Sequence, residues 1–564
     1  MALIGIDLGT SNSLVAHWTD QGVKLIENAL GDFLTPSVVS IADNGDAIVG
    51  RPALDRLVTH PDKTVASFKR WMGTNHEVKL AKKAWRAEEL SALVLRSLKR
   101  DAEAALDIEV SDVVISIPAY FSDPQRKATI NAAHLAGLNV TRLINEPTAA
   151  ALAHGLASSE DGQFLILDLG GGTFDVSLLH KFDGVMEIRA SAGDSMLGGN
   201  DFRDSLASHL MNLHNIDFES QRPLDRARFL NEAERIKAAL SETQDAAYHI
   251  NIFGKDVEGK ITRLEAEELW KPLITRLRRP IERVIRDSET DPSSLSQIVL
   301  VGGASRMPLL KTMTTRLFGR FPLLHPNPDH AIAIGTALQS ALHARHEALD
   351  EIIMTDVCPY TLGIASVEQA YGLNELLMSP IIERNAIIPQ SREQFYSTTV
   401  DGQTKIDVQV YQGENMRPSQ NILIGNLEVP VPLGKAGSQC IGVRFTYDVS
   451  GALEVEVKIL STGELKRKVF QNQSSLTESE IALRFKELSK IKLAPREQQE
   501  NLALVARAER LYAEAIGEQR QQISALMAQF IAALDNQRLR DARPLREKFA
   551  KQLDALDQMW GQPQ

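Results

Sequence analysis

A short apolar strand that ends in aspartate and runs directly into a glycine and threonine turn occurs twice in this chain. No other feature constrains the fold as strongly. The first copy is Ile4-Gly5-Ile6-Asp7-Leu8-Gly9-Thr10 and the second is Leu165-Ile166-Leu167-Asp168-Leu169-Gly170-Gly171-Gly172-Thr173-Phe174-Asp175. Glycine lets backbone N–H groups approach an oxyanion, threonine adds a hydroxyl, and an aspartate at the strand end can hold a hydrated cation beside phosphate. One such turn is compatible with an ordinary hairpin. Two in matching strand contexts imply two similar lobes that close on one nucleotide.

A chain of 564 residues has room for three or four domains at the usual size of about 100 to 200 residues each. Its formal net charge of -11 argues against nucleic-acid or anionic-membrane partners, which need a basic surface. Cys358 and Cys440 are the two cysteines, too few for a disulfide framework and not spaced for zinc. With no apolar run long enough to span a membrane, a soluble, cytoplasmic protein is expected.

Residues 1–348 alternate apolar strands with helical periods, as an α/β unit does, with strands at Val113 to Ile117, Phe164 to Leu169 and Ile298 to Val301. Residues 349–357 form an acid-flanked apolar linker, readable locally as one edge strand. From 358 to 472 the period becomes two: Ile406, Val408 and Val410 alternate with polar residues, as do Leu453, Val455, Val457 and Ile459. An antiparallel β-sandwich is expected there. Residues 473–564 read as helical, with a capping-box start at Thr477 and Glu480 and an apolar stripe of Ile523, Leu526, Met527, Phe530 and Leu534.

Asp7 and Asp168 end their strands facing one cleft, and such hard oxygen ligands suit Mg²⁺. Asp175, beyond the second turn, is placed to position a water for attack on a terminal phosphate. A third turn, Gly302-Gly303-Ala304-Ser305-Arg306, has an arginine in place of the carboxylate, suited to stacking on a base. Glu146 precedes Pro147 at a helix entry and can face the cleft. Lys69, by its local pattern alone, is a solvated lysine.

These segments, with Ile115-Ser116-Ile117-Pro118-Ala119-Tyr120-Phe121, Asn145 to Ala151, Gly193-Asp194, Leu197-Gly198-Gly199 and Asn327-Pro328-Asp329, follow one another in an order that resembles the heat-shock protein 70 (DnaK) chaperone family over nearly the whole chain. The short lid and divergent linker are most similar to its HscC branch. The resemblance implies a multidomain protein: an actin-like two-lobed ATPase domain, a linker, an antiparallel β-sandwich that binds peptides, and an α-helical lid. It implies ATP and Mg²⁺ as cofactors and ATP hydrolysis coupled to binding of extended apolar client segments. It makes Lys69 a catalytic lysine and sets Glu146, Asp168, Asp175 and Thr173 around Mg²⁺ and the attacking water. Nucleotide contacts fall on Asp7, Gly9, Thr10, Ser11, Asn12, Gly170, Gly171, Gly172, Glu234, Lys237, Ser241, Gly302, Gly303, Arg306 and Asp329.

The peptide pocket falls on Ile364, Tyr396, Thr399, Ile406, Val408 and Ile441, and interdomain coupling on Pro118, Arg126, Arg142, Asn145 and Asp356. A J-domain co-chaperone is implied, while the shortened Tyr248 to Ile261 segment leaves an exchange factor in doubt. Two further departures stand out. Thr355 replaces a usual leucine, so weaker linker docking is expected, and Glu368 to Asn374 lengthen the loop expected to arch over the peptide. A metabolite kinase or a nucleotide-dependent scaffold would share the duplicated turns but would leave the sandwich and lid without a role.

Overall fold

A computed structural model of the chain describes residues 4–41, 47–80, 83–157, 161–183, 185–216, 223–252, 255–344, 353–370, 373–448, 451–470, 508, 517–535 and 547–553. It divides into two compact units, Met1–Pro359 and the chain from Tyr360 onward.

The first unit holds two sheets with the same plan. In one, strand β1 (Ile4–Asp7) pairs antiparallel with β2 (Asn12–Thr19), which pairs with β3 (Gly22–Leu25); on its other side β1 runs parallel to β4 (Asp112–Ile117), and that strand to β5 (Asn139–Asn145). In the other, β6 (Gly162–Leu169) takes the place of β1. It pairs antiparallel with β7 (Phe174–Phe182), itself paired with β8 (Val185–Asp194), and parallel with β9 (Gln297–Val301), which pairs with β10 (Leu323–Leu324). Strand β1 is buried throughout and β6 from Phe164 to Leu169, which accounts for the unbroken apolar run before each carboxylate. The lobe built on the first sheet has a continuous core that includes Ile4, Ile6, Val113, Ile115, Ile117, Phe68 and Leu95.

Two helices cross beside these sheets, α1 (Glu146–Ala157) and α4 (Ala331–His343), the latter following α2 (Gly199–Leu213) and α3 (Pro223–Glu242). The two helices approach so closely that a Cβ on Gly335 would overlap the Ala149 carbonyl, and β1 packs on α4 so closely that one on Gly5 would overlap the Ala337 backbone. Small residues are therefore required at this crossing.

The linker segment Ile353–Val357 is a strand, β11, which runs parallel to β8 with Ile353, Met354 and Thr355 opposite Val185, Met186 and Glu187. The hydroxyl of Thr355 is buried and has no hydrogen-bond partner among the described residues.

The second unit contains two four-stranded antiparallel sheets. One is ordered β13 (Leu373–Ile382), β12 (Leu362–Ala370), β15 (Lys405–Gln412), β16 (Ile422–Pro430); the other β14 (Gln390–Ser397), β17 (Cys440–Tyr447), β18 (Leu453–Ile459), β19 (Leu465–Phe470). The alternation read from the sequence lands on β15 and β18, and Val408, Val410, Ile441, Val443, Phe445, Val455 and Val457 are core. The stretch expected to be an arching loop is instead strand. Ala370 pairs with Leu373 and Glu368 with Glu375, so only residues 371–372 connect the two arms. Of the lid, helix α5 (Gly517–Asp535) carries the apolar stripe: Ile523 and Phe530 are buried, Leu526 and Met527 half-buried, and Phe530 stacks on Phe549 at 4.2 Å. The helix start expected at Thr477 and Glu480 lies outside the described residues.

Candidate active site

The register of both sheets ends their central strands at the same cleft, a cavity of about 390 Å³. It is lined by Asp7, Gly9, Thr10, Ser11 and Asn12 from one lobe, Asp168, Gly170, Gly171 and Thr173 from the other, and both Lys69 and Glu146. Glu234, Lys237, Ser241, Gly302, Gly303, Arg306 and Asp329 form the remaining wall. Gly172 and Asp175 are not among the residues that line it. The two turns meet face to face: a Cβ on Gly171 would overlap Ser11 Oγ, and one on Gly172 would lie 2.5 Å from Thr10 Cγ2. Glycine at these positions lets the two lobes close onto each other.

Lys69 overturns its local reading. It is 4 % exposed, its Nζ donates to Glu146 Oε1 at 2.7 Å, and it lies 5.5 Å from the centre of the Phe121 ring. A buried lysine held by a buried carboxylate belongs to a site rather than to a solvated surface.

Burial dominates the electrostatics. It raises Asp7 to about 7, with Glu146 raising it further and Lys69 and the Ser116 hydroxyl, 2.8 Å away, opposing. Asp175 is raised to about 8, first by burial and then by Glu146, against Lys69 and backbone hydrogen bonds from Tyr120 and Ala119. Asp168 is pushed well above the usual carboxylate range by burial and by its acidic neighbours. Carboxylates crowded in this way favour protons or a cation nearby.

The donor set fits magnesium. Both carboxylate oxygens of Asp168 and Oδ1 of Asp175 are buried with no hydrogen-bond partner among the described residues. Among those residues no three acidic, histidine or cysteine groups converge into a protein-only metal cage. A cation that keeps waters and touches phosphate oxygens suits these facing lone pairs.

On the far wall, Lys237 Nζ bridges Glu234 at 2.8 Å and the Gly199 carbonyl at 3.0 Å, and its burial lowers its pKa. Ser241 Oγ donates to the Lys237 carbonyl at 3.3 Å. Arg306, read as lacking a carboxylate, has one from a distant segment: its Nη1 pairs with Asp329 at 2.6 Å. Ala238 also lines the cleft and offers no long side chain to cover a base. Sequence reading did not assign Asn200, which is in the lining and follows the Gly198-Gly199 pair.

A chain of polar contacts leads from this cleft to the linker. Asp175 meets the backbone after Pro118; Arg126 donates to the Phe121 carbonyl at 3.2 Å and to Asn145 Oδ1 at 2.9 Å; Asn145 Nδ2 donates to Asp356 Oδ2 at 3.0 Å. Thr148, not anticipated, donates to the same oxygen at 3.2 Å. Arg142 acts on Asp356 electrostatically, opposing the rise that burial imposes on that carboxyl.

In the second unit Ile364, Val408 and Ile441 are buried, Tyr396 and Ile406 half-buried, and Thr399 exposed. Tyr396 donates its hydroxyl to Ser379 Oγ at 3.0 Å.

The model of the Hsp70 protein family matches residues 3–560. The chain is 38% identical to the protein named chaperone protein DnaK of Thermotoga neapolitana over 526 residues, covering 90% of this chain and 87% of that one. It is equally 38% identical to the DnaK of Thermosipho africanus over 525 residues, 90% of this chain and 86% of that protein. A family match over this length, together with two glycine turns around a buried lysine and buried carboxylates, shows that the chain belongs to the Hsp70 family, whose members are ATPases.

Proposed function

We propose that this ATPase binds and releases extended apolar segments of unfolded polypeptides, and that Mg²⁺-dependent hydrolysis of ATP drives the cycle. The observation that carries this reading is the line of contacts from Asp175 through Arg126 and Asn145 to Asp356, which joins the cleft to a linker held as a strand. In the cleft the two glycine turns bind phosphate through backbone N–H groups, with Thr10 and Thr173 adding hydroxyls. Magnesium, held mainly through water by Asp7 and Asp168, would neutralise phosphate charge. Lys69, fixed by Glu146, places its ammonium against the terminal phosphate, and Asp175 orients the attacking water.

Ile364, Tyr396, Thr399, Ile406, Val408 and Ile441 form the proposed peptide pocket, in which an apolar side chain enters while the client backbone stays extended. A J-domain protein acting near Arg142, Asn145 and Asp356, cytoplasmic residence and membership of the HscC branch belong to the same proposal. The deciding experiment measures ATP turnover with and without an extended apolar peptide, and peptide release with and without ATP. Mutual stimulation supports the reading; a peptide without effect on turnover, or ATP without effect on release, sinks it. Phosphorylation of a small hydroxyl compound would identify a kinase instead.

A further inference from the structure

Next to Lys69 stands a second cation that the cleft chemistry does not use. Residues Phe68–Trp71 form a single 3₁₀ turn, in which successive side chains diverge by about 120°. Lys69 therefore points to Glu146 within its own lobe, while Arg70 crosses to the other. There Arg70 Nε donates to the Gly172 carbonyl at 3.1 Å, and its two terminal nitrogens take both oxygens of Asp201, Nη1 to Oδ1 at 3.2 Å and Nη2 to Oδ2. Asp201 is itself fixed by the Gly198 N–H at 2.7 Å, at the start of α2. A separate tie holds the front of the same turn: Ser67, in the left-handed region at φ 60°, accepts a hydrogen bond from Asn200 Nδ2 at 2.8 Å.

We infer that Arg70 is a positioning residue that makes lobe closure a condition for placing Lys69. One short turn carries both cations, so releasing the guanidinium from the second phosphate turn frees the segment that aims the ammonium. A bidentate fork on a partly buried carboxylate is the geometry in which arginine cannot be replaced by lysine at equal strength. The open molecule loses the Gly172, Asp201 and Asn200 contacts together, and nucleotide escapes only from that state.

The inference rests on the ATPase reading, and its test separates the two. Single-turnover ATP hydrolysis and stopped-flow release of a fluorescent ADP are measured on the full chain, the second reporting on the clasp whether or not turnover is seen. Arg70→Ala is expected to slow hydrolysis and speed release, each by about 10- to 100-fold, the range for loss of a charge-assisted pair. Arg70→Lys falls between, and Asp201→Asn shifts both rates in the same direction. The double variant Arg70→Ala/Asp201→Asn is no worse than Arg70→Ala alone, because both remove one contact. Thermal unfolding identifies a variant that fails to fold, in which case Arg70→Lys and Asp201→Asn carry the test. Wild-type release and hydrolysis rates in Arg70→Ala, or effects of the two substitutions that multiply, overturn the inference. A merely structural arginine would lower the unfolding temperature while leaving the hydrolysis rate at saturating ATP in place.

Discussion

The cleft of the first unit and the proposed peptide pocket of the second solve opposite problems. The cleft gathers Asp7, Glu146, Asp168 and Asp175 with Lys69, all buried, where charges destabilise the fold unless a ligand answers them. The pocket offers Ile364, Val408 and Ile441, which stabilise the sandwich whether or not a peptide arrives. The charges gathered at the cleft therefore cost stability, while the apolar residues of the proposed pocket add to it. The two sites should respond differently to substitution and to pH.

The largest contrast is kinetic. Lys69→Ala is expected to reduce single-turnover hydrolysis by about 10²- to 10³-fold, the scale for removing one preorganised electrostatic group, and to leave nucleotide bound. Quenched-flow product formation checks it, and a rate within a factor of three of wild type would place the lysine outside the chemistry.

At the pocket the corresponding change is one of affinity. Ile406 is half-buried on β15, and Ile406→Asp puts a charge where an apolar client side chain would sit. Fluorescence anisotropy with a labelled apolar peptide should show about 10- to 100-fold weaker binding. Unchanged affinity would move the pocket elsewhere on the sandwich.

Near the cleft, Thr355→Val removes the buried hydroxyl that finds no partner among the described residues and keeps the shape. A group of that kind costs about 1–3 kcal/mol, so docking of the linker strand should tighten by about tenfold. Hydrogen exchange at residues 353–357 reads this directly, slower exchange being the expected result and faster exchange the contrary one.

The last contrast concerns pH. Asp7 and Asp175 have folded pKa values raised to about 7 and about 8, above the unfolded value of 3.8. The nucleotide-free folded state then holds more protons than the unfolded one, and their contribution to stability, complete below about pH 4, is lost as pH rises through 7 to 8. The first unit should melt at a lower temperature at pH 8.5 than at pH 5.5, with the second unit shifting less, and excess Mg²⁺ with nucleotide should remove the difference. Calorimetry of the full chain tests the sign.

This contrast also explains what was legible beforehand. Strands with a carboxylate at the end of an apolar run are unusual enough that Asp7 and Asp168 announce themselves, and the period of two marks β15 and β18. Lys69 was not legible from its neighbours, because its partner Glu146 lies 77 positions away in sequence and only the tertiary fold buries the pair. The same holds for Asp329 beside Arg306, for Thr148 on Asp356, and for Arg70 on Asp201. The hairpin of β12 and β13 is expected as a loop because the family resemblance puts an arching loop there, whereas strand pairing runs out to Ala370 and Leu373. The residues of the proposed pocket are reached through the family resemblance alone, because nothing in an isoleucine distinguishes a wall from a core.

The strand Ile353–Val357 has one more consequence, for solubility. By pairing with Val185, Met186 and Glu187 it occupies main-chain donors and acceptors along β8 that would otherwise form a bare β edge, and such an edge recruits other chains irrespective of their side chains. The linker thus acts as a selvedge: conditions that lift it off should raise the tendency of the protein to self-associate as concentration increases, and a molecule that handles sticky polypeptides keeps its own sticky border stitched while the linker is in place.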